Sequence, residues 1–176
     1  MKTTGIVRRI DELGRIVIPK EIRKSLRIKD GENLEISIDD KSIVLKKYSL
    51  MKKIEDFAQS FTDGIYSYVK KNIIITNRDS IIAVSGSFRK EYLNQEVSEQ
   101  LNKFIERREN IHEKYSKKIE LIDGVELEGT YAISTIIVNG DSAGLVIIFD
   151  EVDTISEEDY KIIQIVSNFL SKYLEE

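Results

Sequence analysis

The sequence contains no cysteine, no tryptophan, a single proline and a single histidine. Without cysteine, the chain can form neither disulfides nor thiolate metal sites, and it has no cysteine nucleophile. The one histidine, His112, excludes multi-histidine zinc sites and leaves little material for a histidine-based catalytic triad. We therefore expect a protein that is not an enzyme and needs no metal or cofactor. Because His112 lies in a polar stretch, we expect it in an exposed loop or at a helix end.

Long apolar segments are missing as well. No run approaches the ~18 apolar residues that a membrane-spanning helix needs. The N-terminal residues also lack the apolar core of a secretory signal peptide. We expect a cytosolic protein with no membrane partner.

Charge divides the chain. The 176 residues carry a net charge of −4, but residues 1–50 hold 12 basic and 8 acidic residues, while the remainder holds 15 basic and 23 acidic ones. Within residues 1–29 the ratio is 9 to 3. A basic N-terminal segment on an acidic remainder indicates that the N-terminal segment alone binds a polyanion.

The first 50 residues show short β-type segments separated by turn signals. We predict strands over residues 6–10, 15–18, 34–38 and 42–46. Pro19 suits the first position of a helix, which we predict over residues 20–26. So small a unit, without disulfide or metal, rarely encloses a core of its own. We therefore expect two copies of residues 1–50 to share one core as a dimer.

Basic side chains are the most informative feature of this segment. Arginine presents a planar fork that matches phosphates and guanine edges, so several arginines on a small unit favour a nucleic-acid surface over a merely solvated basic one. We predict a nucleic acid as the partner. The candidate contact residues are Arg8, Arg9, Arg15, Lys20, Arg23, Lys24 and Arg27.

Residues 50–70 carry an apolar seam at helical spacing, beginning at Leu50 and continuing through Ile54, Phe57 or Ala58, Phe61, Ile65 and Tyr68 or Val69. The seam fits an ordinary core helix and an inter-subunit helix about equally well. Gly64 within it indicates a bend or close packing.

Residues 72–176 change to strand periodicity. We predict hairpins across Asn77–Ser80 and across Asn139-Gly140, a charged helix near 94–108, and strands at 118–122, 131–138 and 144–149. Ser156 is expected to cap a final helix, and the acidic run 157–159 fits a helix start better than a Mg²⁺ site. This order predicts an α+β domain with an antiparallel sheet.

The run from Thr4 to Arg23, with Leu34-Glu35-Ile36 and residues 43–48, resembles the AbrB family of bacterial transition-state regulators. The resemblance covers essentially all of the first 50 residues. It implies an all-β swapped-hairpin barrel in which two chains interleave. It also implies DNA contacts at Arg8, Arg15 and Arg23, with a fourth basic position at Lys24.

Residues 72–176 resemble GAF domains more weakly, through their element order and the Asn139-Gly140 hairpin. The combination of an AbrB-like domain (1–50), a linker helix (51–71) and a GAF-like domain (72–176) resembles a family of sporulation regulators. This implies activation and repression of genes expressed late in the forespore. The alternatives are an antitoxin and a general transition-state regulator of AbrB type. Two apolar helical faces further predict a homotetramer, and the GAF-like domain is a candidate site for an unidentified small-molecule effector.

Overall fold

The computed structural model describes residues 5–175 except 29, 32, 49, 50, 52 and 53. The chain divides into two compact units, Met1–Tyr48 and Ser49–Glu176. Leu50, where the predicted linker seam starts, and Thr4, where the AbrB-like run begins, lie outside the described residues. Within the described residues, no helix combines the length and the apolar character needed to cross a membrane.

The N-terminal unit contains one short helix and one hairpin. Helix α1 spans Lys20–Ser25, and strands β1 (Leu34–Asp39) and β2 (Ser42–Lys47) pair antiparallel. The two predicted strands are confirmed, each one residue longer than expected. Pro19 is the N-cap of α1 rather than its first helical residue, and the helix ends one residue early because Leu26 forms its C-cap.

The predicted strands at residues 6–10 and 15–18 are wrong for the single chain. Both segments lack strand structure, although they flank a turn closed by hydrogen bonds between Asp11 and Arg15. A strand needs a neighbour that satisfies its backbone groups, and the described part of this unit places none beside them. Arg8 and Arg9 consequently lie on an extended segment and not on a strand.

The C-terminal unit is built on a five-stranded antiparallel sheet with the order β4-β3-β7-β6-β5. The strands are β3 (Asn72–Thr76), β4 (Ile81–Ser85), β5 (Ile111–Ile122), β6 (Val125–Val138) and β7 (Asp141–Asp150). The helices are α2 (Glu55–Val69), α3 (Arg89–Tyr92), α4 (Glu99–Arg107) and α5 (Glu157–Glu175). This is the predicted α+β arrangement with an antiparallel sheet.

Helices cover both faces of the sheet. On one face, α2 and α5 pack over Ile73 and Ile75, and on the other, α3 and α4 pack over Ile74. Because successive strand residues point to opposite faces, a run of three isoleucines becomes fully buried. The contiguous apolar runs of the sequence therefore mark strands that are enclosed on both sides.

Turn chemistry fixes the two predicted hairpins. Asn139 and Gly140 both have positive φ, at 51° and 85°, and form the two-residue loop between β6 and β7. Between β3 and β4, the Asn77 side chain accepts hydrogen bonds from the backbone N–H groups of Asp79 and Ser80, both at 2.7 Å. Both hairpins are confirmed.

Several boundaries differ from the prediction, and β6 and β7 begin earlier, at Val125 rather than 131 and at Asp141 rather than 144. The charged helix begins at Glu99 rather than near 94 because residues 94–97 run beside β4, where Asn94 and Gln95 pair with Ile81. Strand β5 begins at Ile111 rather than 118, and it carries His112. The expectation of an exposed loop position for His112 is wrong, because its Nε2 lies 2.8 Å from the Ile155 carbonyl oxygen and its ring stacks on Tyr160.

The outer edge of β4 is closed by a side chain of α2. Gln59 Nε2 donates to the Val84 carbonyl oxygen at 2.8 Å, and Gln59 Oε1 accepts from the Val84 N–H at 3.2 Å. The same amide nitrogen donates to Ser85 Oγ at 3.1 Å. At Val84 the side chain therefore takes the place of a paired strand, beyond the point where Asn94 and Gln95 pair with Ile81.

Helix α5 begins with a reciprocal cap. Ser156 Oγ accepts from the Asp159 N–H at 3.1 Å, and Asp159 Oδ2 accepts from the Ser156 N–H at 2.9 Å. The predicted cap at Ser156 is confirmed. Asp159 also pairs with Lys71, just beyond α2, at 2.6 Å, with the two side chains only 10% and 14% exposed. This pair ties the start of α5 to the end of α2.

The Asp159 carboxylate gives the C-terminal unit an acid-sensitive contact. Burial acts to raise its pKa, but hydrogen bonds from Lys71 and Ser156 outweigh it, and the pKa lies below its ordinary value. Its contribution to stability is therefore complete at neutral pH and is lost as the pH falls below about 4. Asp159→Asn should cost about 2 kcal/mol at pH 7 and less at pH 3.

Denaturant unfolding at both pH values measures this difference. Glu158→Gln, at the exposed neighbouring position, is the matched control and should change stability little at either pH. An equal loss for Asp159→Asn at pH 7 and pH 3 would contradict the ionic role of the contact.

Candidate nucleic-acid interface

All the basic residues predicted to contact DNA lie in the N-terminal unit. Arg8, Arg9 and Arg15 flank the turn at residues 11–15, whereas Lys20, Arg23 and Lys24 lie on α1, followed by Arg27. Most of these residues are exposed, and Arg23 is partly buried with 37% of its side chain accessible. That they contact DNA is a prediction, based on the positive charge and hydrogen-bond donors of their side chains.

The turn that presents Arg15 is organised by Asp11. The Gly14 N–H donates to the Asp11 carbonyl oxygen at 3.0 Å, and the Asp11 N–H donates to the Arg15 carbonyl oxygen at 3.1 Å. Gly14 has a φ of +77°, which glycine adopts without a side-chain clash. The result is a three-residue loop, Glu12-Leu13-Gly14, with its glycine at the left-handed position.

Two of the basic residues of helix α1, Arg23 and Lys24, lie in its last turn, where cations interact favourably with the helix dipole. The first helical hydrogen bond runs from the Arg23 N–H to the Pro19 carbonyl oxygen at 3.0 Å. A terminal guanidinium nitrogen of Arg23 contacts Asp30, whose side chain is 94% exposed. Arg27 follows in the left-handed region with φ 52°, and the Ile28 N–H closes the helix on the Arg23 carbonyl oxygen.

The N-terminal unit leaves its apolar side chains exposed. Val7 is 84% exposed and Ile38 82% exposed, and α1 has no buried residue. Other apolar side chains of the unit that are more than half exposed are Ile10, Leu13, Ile16, Val17, Leu26, Ile36 and Ile43. A single chain of this unit therefore encloses no core among its described residues.

The C-terminal unit carries a second exposed apolar strip. Ile165, Phe169 and Tyr173 follow one another at four-residue spacing along α5 and are 68%, 48% and 43% exposed. Phe169 stacks on Tyr173 and on Phe61 of α2, with ring centroids 6.3 and 5.7 Å apart. Tyr68 of α2 is also exposed, so it is not part of the core seam. We call Phe61, Ile165, Phe169 and Tyr173 the helical strip.

The sheet face beneath α3 and α4 is filled by the protein's own side chains. Phe88 contacts Tyr92 and Phe149, with ring centroids 5.1 and 5.4 Å apart. Tyr131 is 2% exposed there, and burial raises its pKa. Among the described residues, no group of three or more histidine or acidic side chains is arranged to hold a metal ion.

One residue of the site is missed by sequence reasoning. From the sequence, Asp11 is only one of the polar residues that indicate a turn. In the structure, both of its carboxylate oxygens bind Arg15. An aspartate four residues before an arginine, with glycine between them, was the available signal.

The two parts of the chain match different families. Residues 53–175 match the family described as "Stage V sporulation protein T C-terminal, transcription factor". Residues 7–53 match the family described as "Antidote-toxin recognition MazE, bacterial antitoxin".

Relatives extend these matches. The chain is 42% identical over 178 residues to Stage V sporulation protein T of Bacillus subtilis (strain 168), with 100% of both chains covered. Over 48 residues it is 60% identical to the Transition state regulatory protein AbrB of the same organism, covering 27% of this chain and 50% of that protein. These matches confirm the predicted AbrB-like N-terminal domain.

The C-terminal fold also has a structural relative. The GAF domain from Acinetobacter phosphoenolpyruvate-protein phosphotransferase superimposes with a TM-score of 0.57 at 12% identity, covering 73% of this chain and 84% of that one. At this identity the likeness concerns the fold alone, and it confirms the GAF-like architecture.

Proposed function

Because the chain belongs to the stage V sporulation protein T family of transcription factors, we propose that it regulates genes expressed late in the forespore, activating some and repressing others. It acts in the forespore cytoplasm on double-stranded DNA. The observation that carries the proposal is the set of exposed basic residues on an AbrB-like unit, beside a C-terminal part with net negative charge. The residues that we assign to DNA are Arg8, Arg9, Arg15, Lys20, Arg23, Lys24 and Arg27.

The N-terminal unit acts as a dimer in this proposal. Its exposed apolar residues would be buried by a partner, and segments 6–10 and 15–18, which have a strand composition, would pair with strand neighbours. A second copy supplies both at once, which is the interleaved arrangement implied by the AbrB resemblance. Two copies also double the basic surface and arrange it about a two-fold axis, as a paired DNA site requires.

The C-terminal unit joins two such dimers into a tetramer. The helical strip joins the partly buried Phe61 of α2 to three side chains of α5 that are 43% to 68% exposed, and a like strip on another copy covers it by four-helix packing. This assigns assembly to residues 51–71 and 72–176 and leaves DNA binding to residues 1–50. A small-molecule effector would alter DNA binding only by favouring one arrangement of these helices over another.

An antitoxin is the rival function, supported by the family matched at residues 7–53. Antitoxins of this type carry a C-terminal tail that binds the toxin. Here the N-terminal unit is followed by a folded unit with a core on each face of its sheet. This observation favours the regulator, and it also separates the chain from AbrB-type regulators that match over 48 residues only.

Removal of a single arginine side chain tests the DNA surface. Arg23→Ala takes one cation from each copy and leaves behind only Asp30, which is already exposed, so the fold should remain intact. We expect affinity for DNA to fall about tenfold or more. The slope of log affinity against log salt should become shallower by roughly 0.9 for each phosphate that is no longer neutralised.

Arg107→Ala is the matched control, because Arg107 also lies in the last turn of a helix, but in the C-terminal unit. Titration of duplexes at several salt concentrations measures both variants. Equal affinities and slopes for the two variants would place the DNA surface elsewhere.

A further inference from the structure

Asp11 holds Arg15 at two points. Asp11 Oδ1 accepts from the Arg15 backbone N–H at 2.8 Å and from the Leu13 N–H at 3.0 Å. Asp11 Oδ2 accepts from Arg15 Nε at 2.7 Å. One carboxylate therefore fixes both the backbone from which the side chain leaves and the guanidinium at its end.

The contact engages Nε, and no contact with a described residue engages the two terminal nitrogens of the guanidinium. The Arg15 side chain is 73% exposed, and Asp11 is its sole guanidinium partner among the described residues. Arg23 differs, because its contact with Asp30 occupies a terminal nitrogen of the guanidinium. Asp11 thus orients Arg15 without occupying its terminal nitrogens. Arg23 must break its contact with Asp30 before both of its terminal nitrogens can bind another group.

Asp11 remains ionised at neutral pH. Hydrogen bonds from the Arg15 backbone N–H, the Arg15 side chain and the Leu13 N–H hold the pKa of Asp11 below its ordinary value. A fixed negative charge beside Arg15 disfavours close approach to a phosphate. The Arg15 guanidinium beside this charge can instead contact the floor of the major groove, where guanine offers two acceptors to a pair of guanidinium N–H groups.

We propose that Asp11 is a positioning residue that orients Arg15 to read a base edge, so that Arg15 supplies sequence specificity while Arg23 and the α1 lysines supply phosphate contacts. This inference rests on the proposed DNA-binding function. It assigns two separable roles to residues that share one basic surface.

The experiment compares two duplexes. The full-length wild-type protein selects binding sites from a random-sequence pool, and the most enriched duplex is set against a shuffled duplex of the same composition. The ratio of the two affinities measures specificity, and the affinity for the shuffled duplex measures backbone binding.

In Asp11→Asn, the amide oxygen can still accept from the two backbone N–H groups. The amide NH₂ group then faces Arg15 Nε, which is itself a donor, so the contact that orients the guanidinium is lost. We expect the specificity ratio to fall about tenfold, while affinity for the shuffled duplex stays within about twofold of wild type or rises. Glu12→Gln removes the same charge from the next, exposed residue and should leave the ratio unchanged. Arg15→Lys keeps the charge without the fork and should lose specificity as Asp11→Asn does.

A double-mutant cycle separates positioning from a structural role. If Asp11 acts through Arg15, Asp11→Asn changes nothing further in an Arg15→Ala background, whereas an effect of equal size there would overturn the proposal. A wild-type ratio in Asp11→Asn or in Arg15→Lys would also overturn it. If thermal melting shows that Asp11→Asn does not fold, Arg15→Lys decides alone.

A wild-type protein that enriches no sequence from the pool would contradict the proposed function along with this inference. Enrichment by the wild type with an unchanged ratio in the variants would contradict the inference alone.

Discussion

Replacing Ile165 and Phe169 of α5 with glutamate is expected to convert a tetramer into a dimer. The two residues are central to the helical strip and are 68% and 48% exposed in the single chain, so the substitutions do not disturb the core of the C-terminal unit. Buried between copies, the introduced carboxylates would lack partners, and association through this surface would be abolished. The N-terminal units would still hold two chains together.

The effect should be largest on DNA that carries two sites. In a tetramer, binding of one dimer raises the effective concentration of the other, which strengthens the second contact by ~10²–10⁴. The variant should lack this advantage on a two-site duplex and retain wild-type affinity for a one-site duplex. Light scattering measures the mass, and titration of the two duplexes measures the coupling.

Tyr115→Glu is the matched control, because Tyr115 is a solvent-facing aromatic, 85% exposed, on β5 of the same unit. It should change neither mass nor two-site affinity. If the α5 variant stays tetrameric, the helical strip is not the assembly surface. If it becomes monomeric, the N-terminal dimer is wrong instead.

Gly144→Ala should remove most of the stability of the C-terminal unit. A Cβ at this position would lie 1.9 Å from the Thr76 carbonyl oxygen and 2.9 Å from its carbon, and both are backbone atoms. β7 is the central strand of the sheet, and Thr76 Oγ1 accepts from the Leu145 N–H at 3.1 Å beside the glycine. Neither strand can shift without breaking pairing on its other side, so we expect a destabilisation of about 3 kcal/mol or more.

Gly64→Ala provides the opposite control. Apart from its chain neighbours and the backbone of its own helix, no described atom lies within 4 Å of a Cβ built at Gly64, so the described residues do not pack closely there. Alanine in this helix should stabilise by up to about 1 kcal/mol. With no tryptophan in the chain, denaturant unfolding is followed by circular dichroism. A Gly144→Ala variant as stable as Gly64→Ala would contradict the geometry at the β3–β7 junction.

The sequence predicts the C-terminal unit where local chemistry and burial agree. Asn139-Gly140, the cap at Ser156 and the isoleucine run 73–75 each indicate their structure through residue type alone. The start of β5 was missed because residues 111–117 are polar and charged, as suits an edge strand, and their strand structure depends on pairing with β6. The β-propensity of the residues in a segment does not show whether another strand will pair with that segment.

The N-terminal unit shows the converse. Residues 6–10 and 15–18 have a strand composition, but the described residues of the single chain form no strand beside them, so pattern and structure disagree. The arginines are predicted to contact DNA from composition and resemblance, and these contacts stay a prediction. Asp11 was missed because its importance lies in the geometry of two oxygens, which residue type does not reveal.

The closed edge of β4 also bears on aggregation. An open strand edge invites another sheet, and repeated edge-to-edge pairing generates fibres. The Gln59 amide occupies that edge at Val84, and the opposite edge strand, β5, displays Lys114, Lys117 and Lys118, which disfavour flat strand addition. Because both edges of this sheet are protected, the copies of the proposed tetramer would meet through helix faces and not through sheet edges.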